Sequence, residues 1–349
     1  MDKASEIRKG EELDWKNLEP YLREKIPELT GDFQVQQFHG GHANLTYLLL
    51  FGDKELVLRR PPFGKLAPGT HSMKREYRVL SELYKYFPPA PRAYHYCPDD
   101  KIIGADFILM ERKKGVVVRR KMPECFLEIP DAYDRVSKAM IKAQVDLHLI
   151  DVEEKGLSHL GKPEGFLERQ LEGWQQRWNH AKTEENKTMD KIFELLGHQF
   201  PIPQRVSIIH NDIKPDNCQF QPDNPDQVTA IFDWDMTTLG DPLVDFSSTL
   251  SFWPDPGLKD FKNLPVILDE RFPEKQKLKN WYQKSSGLDL SGLSWYECFS
   301  YMKGAIILQQ LYRRYFDGET SDPRMKVFGH MANAMIELSR QKFEYGSQS

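Results

Sequence analysis

The chain has 349 residues, enough for two lobes sharing an interface, because single hydrophobic cores stop growing at about 250–300 residues. Its 48 basic and 52 acidic residues leave a formal net charge of -4, so it carries no broad electrostatic footprint for nucleic acid or an anionic membrane, and a small-molecule partner is expected. Cys97, Cys125, Cys218 and Cys298 lie far apart without CxxC pairing, which argues against a zinc site or a disulfide framework; with no apolar N-terminal region and no apolar run near the roughly 20 residues that span a bilayer, a soluble cytoplasmic protein is expected.

Residues 1–30 are charged and interrupted by proline, with Leu13, Leu18, Leu22 and Ile26 at helical spacing, and predict a short lead-in helix. From Phe33 the pattern turns to strands, Phe33 to Phe38, Asn44 to Phe51 and Glu55 to Arg60, with Gly40-Gly41 and Asp53 at the turns. Ser72 to Phe87 places Met73, Tyr77, Leu80, Leu83 and Tyr84 on one helix face. Phe107 to Glu111 predicts a buried strand that runs into the polar segment Arg112 to Gly115, a connector between lobes. Beyond it helices are predicted near 131–150, 165–180, 187–198, 294–316 and 323–343. Two short β-like segments interrupt them, Val206 to Ile209 and Val228 to Phe232, and each runs into a polar cluster.

The first cluster, His210-Asn211-Asp212-Ile213-Lys214-Pro215-Asp216-Asn217, spells H-x-D-x-x-x-x-N; the second, Asp233-Trp234-Asp235, is a D-x-D. Alone, Asp212 reads as a turn aspartate and Asp233 as a loop residue. Both in order, each after an apolar run, with Asn at the fifth position past Asp212, read as functional loops. Together they resemble the catalytic and metal loops of the protein-kinase-like superfamily, most of all its aminoglycoside-phosphotransferase and choline-kinase branch. The resemblance implies that Asp212 is the base or orienting carboxylate and that Asn217 and Asp233 are ligands of Mg²⁺, for which an amide carbonyl and a carboxylate are suitable hard donors. For Asp235 a second metal and a purely structural place stay open.

The N-terminal half adds weaker signals. Gly40 and Gly41, followed by Asn44, lie between two strands, where a glycine turn lets backbone amides approach phosphates; a plain hairpin turn is the alternative. Arg59 at a strand end and Glu76 in the next helix resemble the strand-lysine and helix-glutamate pair that positions phosphates in kinases, with arginine where lysine is usual. A solvent-facing arginine is the alternative, more so for Arg60. The segment around Glu111 and Arg112 resembles a hinge whose backbone groups hydrogen-bond adenine. The implied cofactors are ATP or GTP and Mg²⁺.

Gly40 to Tyr47, Leu58 to Lys65, His71 to Tyr77 and Phe232 to Pro242 resemble one subgroup of the family, phosphotransferase domains found alone in bacteria or fused to acyl-CoA dehydrogenases. That subgroup is implicated in phosphorylating hydroxyacyl-CoA thioesters, so the resemblance implies a hydroxyacyl-CoA as acceptor. Other kinase acceptors (an aminoglycoside, choline or a sugar) and a nucleotide-binding pseudokinase scaffold are the rivals. Arg169, Gln170, Trp174, Arg177 and Trp178 on one predicted helix offer cations and aromatic faces to a CoA; core tryptophans and solvated arginines are the alternative. By resemblance Asp245 ties the catalytic loop in place. The expected fold is α+β, a protein-kinase-like two-lobe fold with a small antiparallel-sheet N-lobe and a larger, mainly helical C-lobe. The expected division is a lead-in helix at 1–30, a nucleotide-binding lobe at 31–113, and a catalytic and substrate-binding lobe at 114–349.

Overall fold

Two apolar runs, Tyr47 to Phe51 and Leu56 to Leu58, build the centre of the first sheet, and the computed structural model describes the chain over residues 4–39, 44–64, 72–119, 121–255 and 269–346. In chain order the first elements are α1 (Trp15–Lys25), β1 (Phe33–Phe38), β2 (Leu45–Phe51), β3 (Lys54–Arg60), α2 (Met73–Leu83), β4 (Ala93–Cys97), β5 (Phe107–Glu111) and β6 (Val116–Val117). Next come α3 (Glu124–Leu127), α4 (Ala132–His148), α5 (Phe166–Ala181), α6 (Lys187–His198), β7 (Ser207–Ile209), β8 (Cys218–Gln221), β9 (Asn224–Ile231) and β10 (Thr238–Gly240). The last are α7 (Pro242–Ser251), α8 (Lys275–Ser286), α9 (Leu293–Phe316) and α10 (Pro323–Gly346). The chain divides into two units, one formed by 1–139 with 215–237, the other by 140–214 with 238–349.

In the first unit, β1-β2-β3-β5-β4 form an antiparallel five-stranded sheet. Because side chains alternate across a strand, β3 sends Leu56, Leu58 and Arg60 to one face and Val57 and Arg59 to the other. The first face is covered by α1. Asp14 caps this helix by accepting from Asn17 N at 3.1 Å, and Leu18 and Leu22 bury completely against Tyr47, Leu49, Phe51, Leu58, Phe107 and Leu109. Arg60, on that face, is a buried structural group: its guanidinium donates to the carbonyls of Pro61 and Ile103, both at 2.9 Å. Helix α2 begins at the Ser72 cap and buries Met73, Glu76, Val79, Leu80 and Leu83 along one stripe.

The same unit holds a second, three-stranded sheet, β6-β8-β9. Gly115 is required beside it, since a Cβ there would lie 2.5 Å from the carbonyl oxygen of Phe220.

The second unit is mainly helical around the β7-β10 pair. Helix α7 is buried along its whole length, so it shows no polar face, and its polar residues are each engaged. Ser247 bonds Ser300 of α9 at 2.7 Å, and Thr249 donates to the carbonyl of Ile213 at 3.0 Å. Asp241 caps α7 and accepts the Tyr296 hydroxyl at 2.6 Å. Helices α9 and α10, joined by the 317–322 turn, pack along each other, closely enough at Gly304 that a Cβ would meet the Met335 methyl. Among the described residues no helix is long and apolar enough to cross a membrane.

Candidate active site

In the first unit the register of β3 against β5 sets Arg59 opposite Ile108, on the face toward α2. Its guanidinium forks. Nη1 donates to Glu76 Oε1 at 2.5 Å, and Nη2 pairs with the carboxylate of Asp233. Glu76 is 1% exposed and sits in the first turn of α2, where the helix dipole favours a carboxylate. Burial pushes the Glu76 carboxyl up, to about 7, against the pull of Arg59. The guanidinium does not lose its proton, because Glu76, Asp233 and Asp235 outweigh the cost of its burial, and it therefore keeps this cluster a charged one.

Asp233 stands where β9 gives way to the Trp234–Met236 turn. Ile231 N donates to the carbonyl of Pro89 and Phe232 N to that of Asn217, both at 2.9 Å, which sets the Asn217 and Asp233 positions side by side. Trp234 anchors the turn: it is fully buried, donates from Nε1 to the Ile231 carbonyl at 2.7 Å and meets Phe87 edge-on. Arg75 of α2 donates to the Asp235 carbonyl at 3.1 Å, a backbone contact that fixes the loop. Asp233 itself has φ +72°, a left-handed conformation that costs a non-glycine residue about 1 kcal/mol and is typical of residues held for function. Asn217 and Asp233 offer one amide carbonyl and one carboxylate, a donor pair of the kind Mg²⁺ takes when water and phosphate supply its other oxygens. Among the described residues no group of three His, Cys, Asp or Glu side chains forms a self-contained metal centre.

Of the other nucleotide-site candidates, Gly40 and Gly41 lie outside the described residues. Asn44 is buried at the entry to β2. Glu111 ends β5, where its amide donates to the Arg92 carbonyl at 2.8 Å and its carboxylate accepts from Arg92 N at 3.1 Å. Arg112 stacks over Phe38 with its Cζ 4.6 Å from the ring centre, and donates to the Lys113 carbonyl at 2.7 Å.

Asp212 belongs to the second unit, in the loop that leaves β7. The loop is clamped from below by Asp245 of α7, whose buried carboxylate accepts His210 N at 2.9 Å, Asn211 N at 2.7 Å and His148 Nε2 at 3.0 Å. Burial alone would push the Asp245 carboxyl up; the bonds and charges of His148 and His210 win and hold it below the usual carboxylate range. Asn211 has φ +70°, and the Asp245 clamp on its amide supplies the constraint that holds it there. His210 braces the loop from within, its Nδ1 accepting Asp212 N at 3.3 Å. The Asp212 carboxylate stays 19% exposed and receives the Lys214 ammonium on both oxygens, at 2.9 and 2.8 Å. Sequence reasoning gave no part to Lys214, His148 or Tyr282, which bonds His148 Nδ1 at 2.8 Å. Lys214 was open to notice, since it stands two residues past Asp212; His148 and Tyr282 reach the loop only through the fold.

A strand-end carboxylate on a clamped loop, and a strand cation paired with a helix glutamate, are parts of kinase-type phosphotransferases; here the cation is an arginine that also reaches a D-x-D loop. Comparison with known proteins agrees. Residues 34–263 match the model of the phosphotransferase enzyme family known as APH, and the chain belongs to that family. The structure is similar to that of a putative aminoglycoside phosphotransferase from Ralstonia eutropha, with a TM-score of 0.79 and 28% identity over 96% of this chain and 99% of that one. It shares its fold with choline kinase from Cryptosporidium parvum, TM-score 0.62 at 14% identity over 93% and 94% of the two chains. The fold is thus the α+β, protein-kinase-like one. Among curated proteins the chain is 30% identical to acyl-CoA dehydrogenase family member 10 of Mus musculus over 95% of its own length, and it spans 31% of that relative's.

Proposed function

We infer that the chain is a small-molecule kinase, moving the γ-phosphoryl group of ATP or GTP onto a hydroxyl of a hydroxyacyl-CoA. The observation that carries this reading is the Asp212 loop: a partly exposed carboxylate on a backbone fixed by Asp245, with Lys214 on both its oxygens. Asp212 orients the acceptor hydroxyl and takes its proton as the oxygen bonds to the γ-phosphorus and the bond to the β,γ-bridging oxygen breaks. Lys214, two residues on, supplies positive charge beside that carboxylate. Arg59 and Glu76 position the phosphates, the backbone around Gly40, Gly41 and Asn44 approaches them, and backbone groups of the 111–112 segment other than the engaged Glu111 amide read the base. Asn217 and Asp233 hold Mg²⁺, which when bound neutralises charge on the phosphates. In this reading residues 31–113 bind the nucleotide, and 114–349 carry catalysis and the acceptor.

The acyl-CoA part rests on the subgroup motifs and on the relative named as an acyl-CoA dehydrogenase family member, of which this chain matches less than a third. The test is ADP formation and product mass with ATP or GTP and Mg²⁺, over a panel of hydroxyacyl-CoAs, an aminoglycoside, choline and a sugar. A hydroxyacyl-CoA is expected to show the highest kcat/KM. A preference for one of the other acceptors would remove the CoA reading, and nucleotide binding without turnover on any acceptor would make the chain a scaffold.

A further inference from the structure

The second unit contains a buried lysine that, among the described residues, is drawn by distant carboxylates but bonded to none. Lys303, on α9, is only 9% exposed, and among the described residues its ammonium makes no hydrogen bond and no ion pair. It lies over the ring of Trp174 on α5, Nζ 5.8 Å from the centroid, and Trp174 is itself buried, 5% exposed. Arg177, one turn further along α5, lies over the same ring with Cζ 4.5 Å from the centroid. Two cations therefore contact one indole. Cation–π attraction accounts for part of this, but two like charges brought together in a half-dry place repel, and each would gain from an anion between them.

The position is also informative. Ser300, one turn before Lys303 on α9, is bonded to Ser247 of α7, the helix whose Asp245 clamps the Asp212 loop. Among the charges acting on Lys303, Asp212 leads and Asp245 follows as attractive ones, while Arg177 and Lys214 oppose. Burial lowers the lysine's proton affinity in spite of those carboxylates, the sign of an ammonium short of compensation. Asp212 attracts Lys303 without a hydrogen bond or ion pair to it, and shares its charge with Lys214, which sits on both its oxygens.

We propose that Lys303, Arg177 and the face of Trp174 form an acceptor subsite for an anionic oxygen group, a carboxylate or a phosphate, carried by the same molecule whose hydroxyl reaches Asp212. This rests on the reading of Asp212 as the residue that orients the acceptor. It makes the acceptor an acid or a phosphate-bearing thioester, and it sets a polycationic acceptor at a disadvantage. Neutral alcohols would be taken only weakly, because they would leave the two cations unmatched.

The experiment compares three acceptors built on one hydroxyacyl chain: the free hydroxy acid, its CoA thioester and its neutral methylamide. For the wild type and for Lys303→Met, Lys303→Arg and Arg177→Ala, the readout is the ratio of kcat/KM for each charged acceptor to that for the methylamide. The ratio is expected to fall at least about tenfold in Lys303→Met, mainly through KM, and to recover substantially in Lys303→Arg. A fall confined to the free acid identifies a carboxylate as the anion bound, and one confined to the thioester identifies the phosphates of CoA. An unchanged ratio in a folded Lys303→Met and in Arg177→Ala overturns the proposal, as does a wild type that prefers the methylamide. If the wild type phosphorylates none of the three, it is the reading of Asp212 that fails. Calorimetric binding of the hydroxy acid and the thioester, without nucleotide, then decides the subsite: a Kd weakened at least about tenfold in Lys303→Met keeps it, and equal Kd values end it.

Discussion

The carboxylate of Asp245 holds the backbone N–H of Asn211 at 2.7 Å, one residue before the carboxylate on which the proposed chemistry turns. The clamp also takes in His210 and His148, so a single buried charge organises the backbone of the loop after β7 and a side chain from α4. Charge-assisted bonds to a buried carboxylate are stronger than neutral ones, and the amide that would replace it accepts less well and brings an N–H2 with no acceptor.

Asp245→Asn is accordingly expected to cost about 2–4 kcal/mol at pH 7 and to lower turnover through disorder of the loop. Because the folded carboxyl lies below its unfolded value, its contribution is full above about pH 5 and is lost as pH falls through the folded value. The gap between wild type and variant in urea midpoint should hold steady from pH 7 to about pH 5 and narrow as pH falls below about 4. A gap independent of pH would show that shape, and not charge, is what the loop uses.

Asp212→Asn should reduce kcat by at least about 100-fold, the usual scale for loss of a positioned general base, while nucleotide Kd stays within about threefold. Steady-state kinetics with equilibrium nucleotide binding separates the two. An equal loss of nucleotide binding would move Asp212 out of the acceptor role.

Arg59 is shared between Glu76 and Asp233, a task for a fork. Arg59→Lys keeps the charge but reaches one carboxylate at a time, so the KM for nucleotide is expected to rise about tenfold. Arg59→Met leaves Glu76, 1% exposed, without its cation; its carboxyl, already pushed up to about 7, takes a proton, and the loss should be about 1–3 kcal/mol. Adding Glu76→Gln to Arg59→Met should restore most of that loss; a purely additive cycle in urea denaturation would show that the pair is not coupled.

Two glycines give opposite expectations. A Cβ on Gly161 would stand 2.3 Å from Leu239 N and 2.5 Å from Thr238 Oγ1, so Gly161→Ala should destabilise by more than about 2 kcal/mol. Gly173, inside α5, faces open space, and Gly173→Ala should stabilise by about 0.5–1 kcal/mol. Thermal melts of the two variants would check both signs.

The strands β1, β2, β3 and β5 were legible as short apolar segments bounded by turn or polar residues, and the long helices by their apolar period. β4 was not read: Ala93–Cys97 is flanked by Pro91 and Pro98 and shows no clear alternation, and pairing with β5 makes it a strand. α7 lacks a polar stripe because it is buried all round, and α8 buries only Leu278 and Tyr282, so neither shows a strong helical period. Among the candidate site residues, Asp212, Asn217 and Asp233 stand in spaced motifs, and spacing survives without a structure. The pairing of Arg59 with Glu76 was anticipated as an ion pair, but its second branch to Asp233 crosses a long stretch of chain and needed the fold. Lys303 has no informative neighbour in sequence; burial without a partner is what singles it out.

The unit built on the five-stranded sheet recruits residues 215–237 after the chain has already passed through 140–214. During translation its early part must therefore wait, with the seat of Trp234 beside Phe87 unfilled, until residues 215–237 have been made. A ribosome-stalled intermediate ending before residue 215 should hold the sheet in a protease-sensitive form, and one extended past residue 237 with room to leave the exit tunnel should close it.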